Sequence, residues 1–323
     1  MNHIGLDISK DSIDCYFRER RSHIKISNDL SGCRQLRQWI KNHRKRKVVM
    51  AMEATGIYYE AAAEYLSRYH MVYVINPLKI KDYAKSQFSR TKTDRADARL
   101  IAEYAARHGD QLTAYQPPTP SQRSIAGLIT LLQQLNRQIS QTKNRLHAAT
   151  DEFVQGIHRQ IVDKLKEHYE TTLNQIQAAM KEQRGNQTET IANRLYQNLL
   201  SVPGIGEITG PVIYHFLTTK QFDNANQFTA YAGLSPQIAQ SGTSVKKRDA
   251  LSRYGNRRLK TAFFFPAMIA YRMRLFPRFI DNLSKAGKPK MVIIGALMRK
   301  LAKICYAISK TGQPFDKSKH ISG

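Results

Sequence analysis

The hydrophobic pattern of the sequence changes at a short proline-rich segment, Pro117-Pro118-Thr119-Pro120. Before it, short apolar runs typical of β-strands alternate with amphipathic stretches typical of helices. After it, apolar residues recur at every third or fourth position, which is the spacing of one helix face. Because proline interrupts strands and helices alike, the 323-residue chain is predicted to be an α/β region followed by an all-α region.

The first region is predicted to be a mixed α/β layer fold, since its strands and helices alternate along the chain. Its apolar strands are bounded by turn-forming residues such as Asn76-Pro77. Strands are expected at residues 3–8, 48–52 and 72–75, and antiparallel strands are expected from residue 17 through residue 26. Helices are expected at residues 30–43 and 56–69.

The first part of the helical region has a thin apolar stripe on an otherwise polar, glutamine-rich sequence. The stripe runs from Ile125 to Leu146, a break is expected near residues 151–156, and a second run extends from Ile157 to Met180. Two long helices with narrow apolar seams are typical of a coiled-coil hairpin or an oligomerisation arm. The predicted domains are residues 1–116, an arm at 117–187 and a helical domain at 188–323.

The chain is strongly basic, with 51 Lys and Arg against 25 Asp and Glu and a net charge of +26. Residues 241–323 alone contain 19 Lys and Arg and three Asp, a net charge of +16, so well over half of the excess lies in the last quarter. With 41% hydrophobic residues the chain can bury cores, which excludes a disordered polycation. A charge excess of this size predicts a polyanionic partner, and nucleic acid is the first candidate.

The cysteines and the apolar segments exclude other classes of protein. Cys15, Cys33 and Cys305 are odd in number and lack metal-ligand spacing, so neither a disulfide framework nor a zinc site is predicted. The first residues do not show a basic segment followed by an apolar one, and the most apolar stretch, residues 291–308, is interrupted by charged residues. We therefore predict an intracellular protein without a membrane segment.

Four carboxylates of the first region stand where a metal site can form. Asp7 lies within the first strand, Glu53 ends the second apolar strand, and Asp94 and Asp97 are three residues apart at a predicted helix start. Carboxylates delivered from two strands and one helix face can converge on Mg²⁺ ions, which clamp both reacting oxygens of a phosphodiester. The simpler interpretation is that the last three only cap helices. That interpretation does not fit Asp7, because burying an unpaired carboxylate lowers the stability of the fold.

Two segments beyond residue 200 are candidates for contact with nucleic acid. The turn at residues 201–206 resembles a helix-hairpin-helix turn, in which Gly204 and Gly206 bring N–H groups close to a phosphate. The alternative is an ordinary Pro-Gly turn. Residues 240–248 form a small-residue loop that leads into a basic segment. The cations expected to bind phosphates are Lys246, Lys247, Arg248, Arg253, Arg257, Arg258 and Lys260.

A hydroxyl beside these cations is a candidate nucleophile, because nearby positive charge offsets the charge that develops when a hydroxyl attacks phosphorus. Composition does not decide which hydroxyl this is. The serines and the threonine of the loop and the nearby Tyr254 all qualify.

Several short motifs follow one another in a characteristic order. The first region contains Ile4-Gly5-Leu6-Asp7-Ile8-Ser9-Lys10, Met52-Glu53-Ala54-Thr55-Gly56, Ile75-Asn76-Pro77 and Lys92-Thr93-Asp94-Arg95-Ala96-Asp97-Ala98-Arg99. The last region contains Pro203-Gly204-Ile205-Gly206, Phe228-Thr229-Ala230-Tyr231-Ala232-Gly233-Leu234-Ser235-Pro236, Ser241-Gly242 and Gly255-Asn256-Arg257-Arg258-Leu259. Together, over nearly the whole chain, they resemble the one-hundred-and-ten insertion-sequence family of bacterial transposases.

This resemblance implies a RuvC-like domain of the ribonuclease H fold and a mainly helical serine recombinase domain, and the apolar stripes predict the helical coiled-coil arm between them. The family's metal-binding tetrad corresponds here to Asp7, Glu53, Asp94 and Asp97, with Mg²⁺ as the metal, and its catalytic serine corresponds to Ser241. The resemblance further implies a phosphoserine link to DNA at an active site shared between protomers of a dimer or tetramer. It also implies a bridge-type guide RNA that pairs with donor and target DNA, and a location in the bacterial cytoplasm at the nucleoid.

We therefore predict a Mg²⁺-dependent DNA recombinase that cuts and rejoins DNA through Ser241. Other functions stay open. The tetrad fits a structure-specific nuclease, such as a junction resolvase, that uses metal-activated water and needs no serine. A non-enzymatic nucleic-acid scaffold with a degenerate RuvC-like fold is a second alternative, and a tyrosine recombinase acting through Tyr254 is a third.

Overall fold

The computed structural model describes residues 2–43, 48–87, 93–182, 191–237, 240–241, 245–246, 250–252 and 254–318. Of residues 181–182, 191–193, 237, 240–241, 245–246 and 250, only the backbone is described. The chain divides into two compact units, Met1–Pro117 and Pro118–Gly323. Separation of the second unit into an arm and a serine domain stays a prediction.

The first unit is a five-stranded mixed sheet with helices on both faces, which fits a RuvC-like domain. The strands lie in the order β3-β2-β1-β4-β5; β1 is antiparallel to β2 and parallel to β4. The strands are β1 (His3–Ile8), β2 (Ser12–Phe17), β3 (Ser22–Ser27), β4 (Val49–Glu53) and β5 (Met71–Ile75). The helices are α1 (Leu30–Asn42), α2 (Glu60–Ser67), α3 (Pro77–Ser86) and α4 (Asp94–His108).

The alternation of side chains along β1 divides the sheet into two faces. Ile4 and Leu6 are buried among apolar residues of α1 and α2. Gly5 and Asp7 point to the opposite face, which α4 covers. The helix comes so close that a Cβ built on Gly5 would stand 2.0 Å from the carbonyl oxygen of Ala98. Only glycine fits here, and its missing side chain lets α4 approach the strand that carries Asp7.

Two predicted elements of this unit differ in the structure. The helix expected over residues 56–69 spans Glu60–Ser67, and Gly56 cannot belong to it because its backbone is left-handed, with φ +57°. The prediction of antiparallel strands from residue 17 omitted β2, which pairs with both β1 and β3. The other predicted strands and the first helix lie within one or two residues of the expected positions.

The second unit is mainly helical. Its core is one continuous cluster in which Phe228, Phe263 and Leu297 are fully buried. Cys305 lies in this core as a free thiol, and Cys15 and Cys33 are free and buried in the first unit. The helices are α5 (Pro120–Ala148), α6 (Glu152–Glu182), α7 (Ile191–Leu200), α8 (Thr209–Thr219), α9 (Ala225–Tyr231), α10 (Arg257–Arg272), α11 (Pro277–Lys285) and α12 (Lys290–Thr311).

The long helices α5 and α6 pack against each other along their length. A reciprocal capping box between Thr119 and Gln122 starts α5, and the Asp151 carboxylate accepts the Val154 N–H at the start of α6. The chain therefore reverses at residues 149–151, before the break that the sequence predicted. Near the other end of the pair, Ile125 of α5 and Ile176 of α6 join the core of the second unit. No helix among the described residues is long and apolar enough to span a bilayer.

Two nested antiparallel strand pairs lie between α9 and α10. The outer pair joins β6 (Pro236–Gln237) to β9 (Ala250–Leu251), and the inner pair joins β7 (Gln240–Ser241) to β8 (Val245–Lys246). At their base the backbones of Gly233 and Gly255 cross in contact, since a Cβ on Gly255 would lie 2.3 Å from the Gly233 nitrogen. Both glycines have positive φ, +70° and +136°. We call residues 236–251 the serine hairpin.

Candidate active site

The sheet register brings four charged residues into a row across neighbouring strands. Asp7 of β1 pairs with Asp14 of β2, and Asp14 pairs in turn with Lys25 of β3. On the other side of β1, Leu6 pairs with Met52, so Asp7 and the next residue of β4, Glu53, lie on the same face. Because directly paired residues share a face of the sheet, the row Lys25-Asp14-Asp7-Glu53 faces α4.

Helix α4 adds Asp94 and Asp97 to this face. The Thr93 hydroxyl accepts the Ala96 N–H and fixes the start of the helix, which places both aspartates in its first turn. Asp94 has 68% of its side chain exposed, whereas Asp97 is partly buried. Since Gly5 sets the distance between α4 and β1, the same contact holds these aspartates near Asp7.

Burial and the carboxylates of this face raise the pKa of Asp7. Burial raises it first, and the negative charges of Asp97, Asp94, Glu53 and Asp14 raise it further, from 3.8 to about 6. The four tetrad residues predicted from the sequence thus lie on one face of the sheet, within range of each other's charge. A group of carboxylates that oppose each other's ionisation is an arrangement that a divalent cation stabilises.

Asp14 is a fifth carboxylate that the sequence reasoning missed. It is 5% exposed, and its two oxygens are paired separately: Oδ1 lies 2.8 Å from His23 Nε2 and Oδ2 lies 3.2 Å from Lys25 Nζ. Lys25 also lies 3.7 Å from Asp94 Oδ2. The signal was present in the sequence, because Asp14 alternates with the apolar Ile13 and Cys15 just as Asp7 alternates with Leu6 and Ile8.

The donor set fits a hard divalent cation such as Mg²⁺, since it consists of carboxylate oxygens on rigid elements. Among the described residues, however, no three His, Cys, Asp or Glu side chains stand close enough together to hold a metal ion. Glu53 accepts a hydrogen bond from Thr55 at 3.3 Å, and Asp94 interacts with Lys25. Metal binding at this face therefore requires some of these side chains to turn inward.

Ser241 lies in β7, where it pairs with Val245 of β8; for Ser241 and Lys246 the structure describes the backbone only. Three of the predicted phosphate-binding cations, Lys247, Arg248 and Arg253, lie outside the described residues. Tyr254, the alternative nucleophile, is 51% exposed.

The outer pair of the serine hairpin lies on an apolar groove of about 600 Å³. The lining of this groove includes Leu251 and three cations of α12, Arg299, Lys300 and Lys303.

The remaining predicted cations lie at the start of α10, which the Asn256 side chain caps by accepting the Leu259 N–H. Arg257 is exposed. Arg258 donates to the Thr130 hydroxyl at 2.9 Å, and Lys260 donates to the Ser252 carbonyl at 3.1 Å. The last two thus tie α10 to α5 and to the end of the serine hairpin.

Of the two glycines in the turn at residues 201–206, Gly204 has a structural role. Gly204 has φ +87°, and a Cβ on it would lie 2.9 Å from the Pro266 Cα, so the glycine allows the turn to pack on α10. The Gly206 N–H donates to the Thr209 hydroxyl at 3.2 Å, and the Ile205 N–H donates to the Val202 carbonyl at 3.0 Å. Contact of Gly204 and Gly206 with nucleic acid stays a prediction.

Comparison with known proteins covers both units. Residues 4–155 match the DEDD transposase family of IS110, described as "Transposase", and residues 196–282 match the "Transposase IS116/IS110/IS902 family". The pilin gene-inverting protein of Moraxella bovis is 32% identical over 98% of this chain and 98% of its own length. The transposase for insertion sequence element IS1328 of Yersinia enterocolitica is 24% identical over 97% of this chain and 98% of its own length. The chain is therefore a member of the IS110 family of transposases, enzymes that act on DNA.

Proposed function

We propose that this transposase breaks and rejoins DNA strands through a covalent link between Ser241 and a DNA phosphate, with the tetrad of the first unit acting on the same phosphate. The observation that carries the proposal is the gathering of Asp7, Glu53, Asp94 and Asp97 on one face, with the pKa of Asp7 raised to about 6. The serine rests on the family motif around Ser241. The tetrad alone is compatible with hydrolysis by water, whereas the tetrad together with a serine nucleophile favours recombination.

The tetrad residues would hold Mg²⁺, which when bound supplies positive charge to the scissile phosphate. Asp7 and Glu53 lie on paired strands of a buried sheet, so they fix one side of this site. Asp94 and Asp97 approach from the first turn of α4. Because Asp7 must be ionised to bind a metal, its raised pKa makes metal binding weaken as the pH falls through about 6.

In the proposed reaction, the Oγ of Ser241 forms a bond to phosphorus while the bond from phosphorus to a 3′-oxygen breaks. The hydroxyl proton of the serine leaves, and the departing 3′-oxygen takes up a proton. A 3′-hydroxyl of the partner strand then attacks the phosphoserine and releases the Ser241 Oγ. One phosphoester bond breaks for each that forms, so no ATP is needed. Exposed Arg257 and the cations around the serine hairpin offset the negative charge of the DNA.

Donor and target DNA are the substrates in this proposal. The relatives include a pilin gene-inverting protein and an insertion-sequence transposase, and inversion and transposition both require cutting and rejoining of two DNA segments. We further propose that a structured bridge-type RNA from the element selects the two segments by base pairing. This part of the proposal is supported by the family resemblance and by the net charge of +26.

We propose that the α5–α6 pair forms the coiled-coil arm that assembles protomers. Its support is an apolar stripe at the beginning of α6 whose residues are spaced along one side of the helix and exposed: Phe153 (77%), Val154 (42%), Ile157 (41%) and Ile161 (42%). An exposed stripe of this kind is typical of an interaction surface. Light scattering should show that Phe153→Glu combined with Ile157→Glu lowers the oligomeric state, whereas Arg159→Glu, at an exposed position on another side of the same helix, leaves it unchanged.

A trapping assay tests the central proposal. The full-length protein is mixed with Mg²⁺, RNA transcribed from the flanking DNA, and labelled donor and target DNA, and the products are separated on a denaturing gel before and after protease treatment. We expect a protease-sensitive, slowly migrating DNA adduct that Ser241→Ala abolishes and Tyr254→Phe preserves.

Each alternative function has its own outcome in this assay. Free cleaved ends that persist in Ser241→Ala would show that the tetrad works with water as a nuclease. An adduct that disappears in Tyr254→Phe would identify a tyrosine recombinase. Binding of DNA without cleavage, unaffected by Asp7→Asn, would point to a scaffold.

A further inference from the structure

Lys25 is a cation placed inside the group of carboxylates. Its Nζ lies 3.2 Å from Asp14 Oδ2 on the neighbouring strand and 3.7 Å from Asp94 Oδ2 in the first turn of α4. The cross-strand pairing of Asp14 with Lys25 fixes the position of its backbone. A single ammonium group therefore links the sheet to the helix that carries two of the four tetrad residues.

The two contacts of Lys25 are unequal. Asp14 is 5% exposed and also paired with His23 at 2.8 Å, so it is a buried carboxylate that needs both of its partners. The contact with Asp94 is longer, and the two side chains are 53% and 68% exposed. Exposed ion pairs of this kind contribute little to stability. Lys25 thus has one firm anchor, on Asp14, and one contact that is easily broken, on Asp94.

We propose that Lys25 is a positioning residue that acts as the resident counter-cation of the tetrad. Without a metal it holds Asp94 and reduces the repulsion among the carboxylates; when a divalent ion binds, the ion replaces it at Asp94, while Asp14 keeps it. This inference rests on the proposal that the tetrad binds a metal. It also gives Asp14 a role, because Asp14 retains the displaced ammonium beside the site.

The inference predicts competition between Lys25 and the metal. Removal of the ammonium frees Asp94 and takes away a positive charge that repels the incoming ion. Coulomb repulsion between a single and a double positive charge about 6 Å apart, screened by water because Lys25 is half-exposed, changes affinity on the order of tenfold. The Lys25→Met variant should therefore bind a divalent cation about tenfold more tightly than the wild-type protein.

Titration with Mn²⁺ measures this directly. The full-length protein, without nucleic acid, is titrated while electron paramagnetic resonance reports free Mn²⁺, and the binding that remains in Asp7→Asn is subtracted. We expect tighter binding in Lys25→Met, wild-type affinity in Lys25→Arg, and wild-type affinity in Lys79→Met. Lys79 is an exposed residue of α3 and gives the matched control for loss of one positive charge. Thermal unfolding in EDTA checks that each variant folds.

A double-mutant cycle separates displacement from a general effect of charge. In an Asp94→Asn background, the tighter binding caused by Lys25→Met should shrink, because the competed ligand is gone. Equal affinity of Lys25→Met and Lys79→Met would overturn the inference, and so would weaker binding in Lys25→Met, which would mean that Lys25 prepares Asp94 for the metal. If Asp7→Asn removes no Mn²⁺ binding from the wild-type protein, the metal role of the tetrad itself fails, and the role of Lys25 fails with it.

Discussion

The carboxylates of the first unit lie on elements that pack on a five-stranded sheet with buried clusters on both faces, whereas Ser241 of the second unit lies on a two-residue strand that pairs, among the described residues, with another two-residue strand. Asp7 and Glu53 depend on pairing within a five-stranded sheet, and Asp94 and Asp97 depend on the packing of α4 against Gly5. The serine hairpin depends on the backbone crossing of Gly233 and Gly255 at its base. Packing between distant parts of the chain thus positions the tetrad, whereas a single contact between two glycine backbones positions the strands that carry the serine.

The sharpest test of this comparison replaces one reactive group in each unit. Asp7→Asn and Ser241→Ala should each lower strand joining by at least about a thousandfold, since each removes a group that acts on the reacting phosphate. Only Asp7→Asn should also abolish the rise in melting temperature that Mn²⁺ causes, because Ser241 is not among the metal ligands. Scanning calorimetry with and without Mn²⁺ makes the distinction. Loss of the metal effect in Ser241→Ala would contradict the assignment of the metal to the first unit alone.

The second test adds one methyl group at each packing point. Gly5→Ala places a Cβ 2.0 Å from the Ala98 oxygen, and Gly255→Ala places one 2.3 Å from the Gly233 nitrogen on a backbone with φ +136°. Each should lower the free energy of unfolding by about 3 kcal/mol. Gly5→Ala should also weaken Mn²⁺ binding, whereas Gly255→Ala should leave it intact and impair joining.

Denaturant titration gives the free energies of these variants. Gly127→Ala in α5 is the control, because nothing lies within 4 Å of its added Cβ, and it should raise the stability by up to about 1 kcal/mol. A Gly5→Ala protein as stable as Gly127→Ala would mean that α4 does not set the geometry of the tetrad.

The third test uses the pKa of Asp7, which is about 6 in the folded protein against an ordinary 3.8. Because the folded state holds this proton more tightly than the unfolded state, the metal-free protein loses stability as the pH rises from about 4 through about 6. Asp7→Asn should therefore be more stable than the wild-type protein at pH 7.5, by about 1 kcal/mol after allowance for solvent screening, and equally stable near pH 4. Denaturation in EDTA across this range measures it. A difference that does not vary with pH would refute the electrostatic origin.

The smallest expected effect concerns the basic surface of the second unit. Arg257→Gln should weaken DNA binding severalfold, because an exposed arginine neutralises one phosphate. The slope of log affinity against log salt concentration should become shallower by about one. Arg258→Gln should in addition cost about 1 kcal/mol of stability, since its bond to the Thr130 hydroxyl is lost. Fluorescence anisotropy at several salt concentrations separates the two. An unchanged salt dependence in Arg257→Gln would remove that residue from the interface.

Local sequence patterns predicted most of the first unit and its tetrad. Strand β1 was clear because apolar alternation acts over a few residues, and the start of α4 was clear because Asp94 and Asp97 have helical spacing. Asp14 was missed because β2 was not recognised, although its alternation has the same form as that of β1. The link from Lys25 to Asp94 joins β3 to α4, and no local pattern contains such a contact.

Local patterns did not predict Ser241, because only the family resemblance distinguishes it from the other hydroxyls of its loop. The glycines of the motifs were visible in the sequence, but their reasons were not. Gly5, Gly204 and Gly255 are required by close approaches to residues far along the chain or on another element, and those contacts exist only in the folded protein.

The crossing of Gly233 and Gly255 also bears on how such enzymes can diversify. The chain enters and leaves the serine hairpin beside this backbone contact, and Pro236 and Leu251 of its outer pair line the groove on α12. Changes of sequence between those two residues need not be transmitted to α9 or α10, so residues 237–250 can be exchanged for those of a relative while both glycines, Pro236 and Leu251 are kept. Variation in how the reactive loop meets its DNA can then accumulate on an unchanged helical framework.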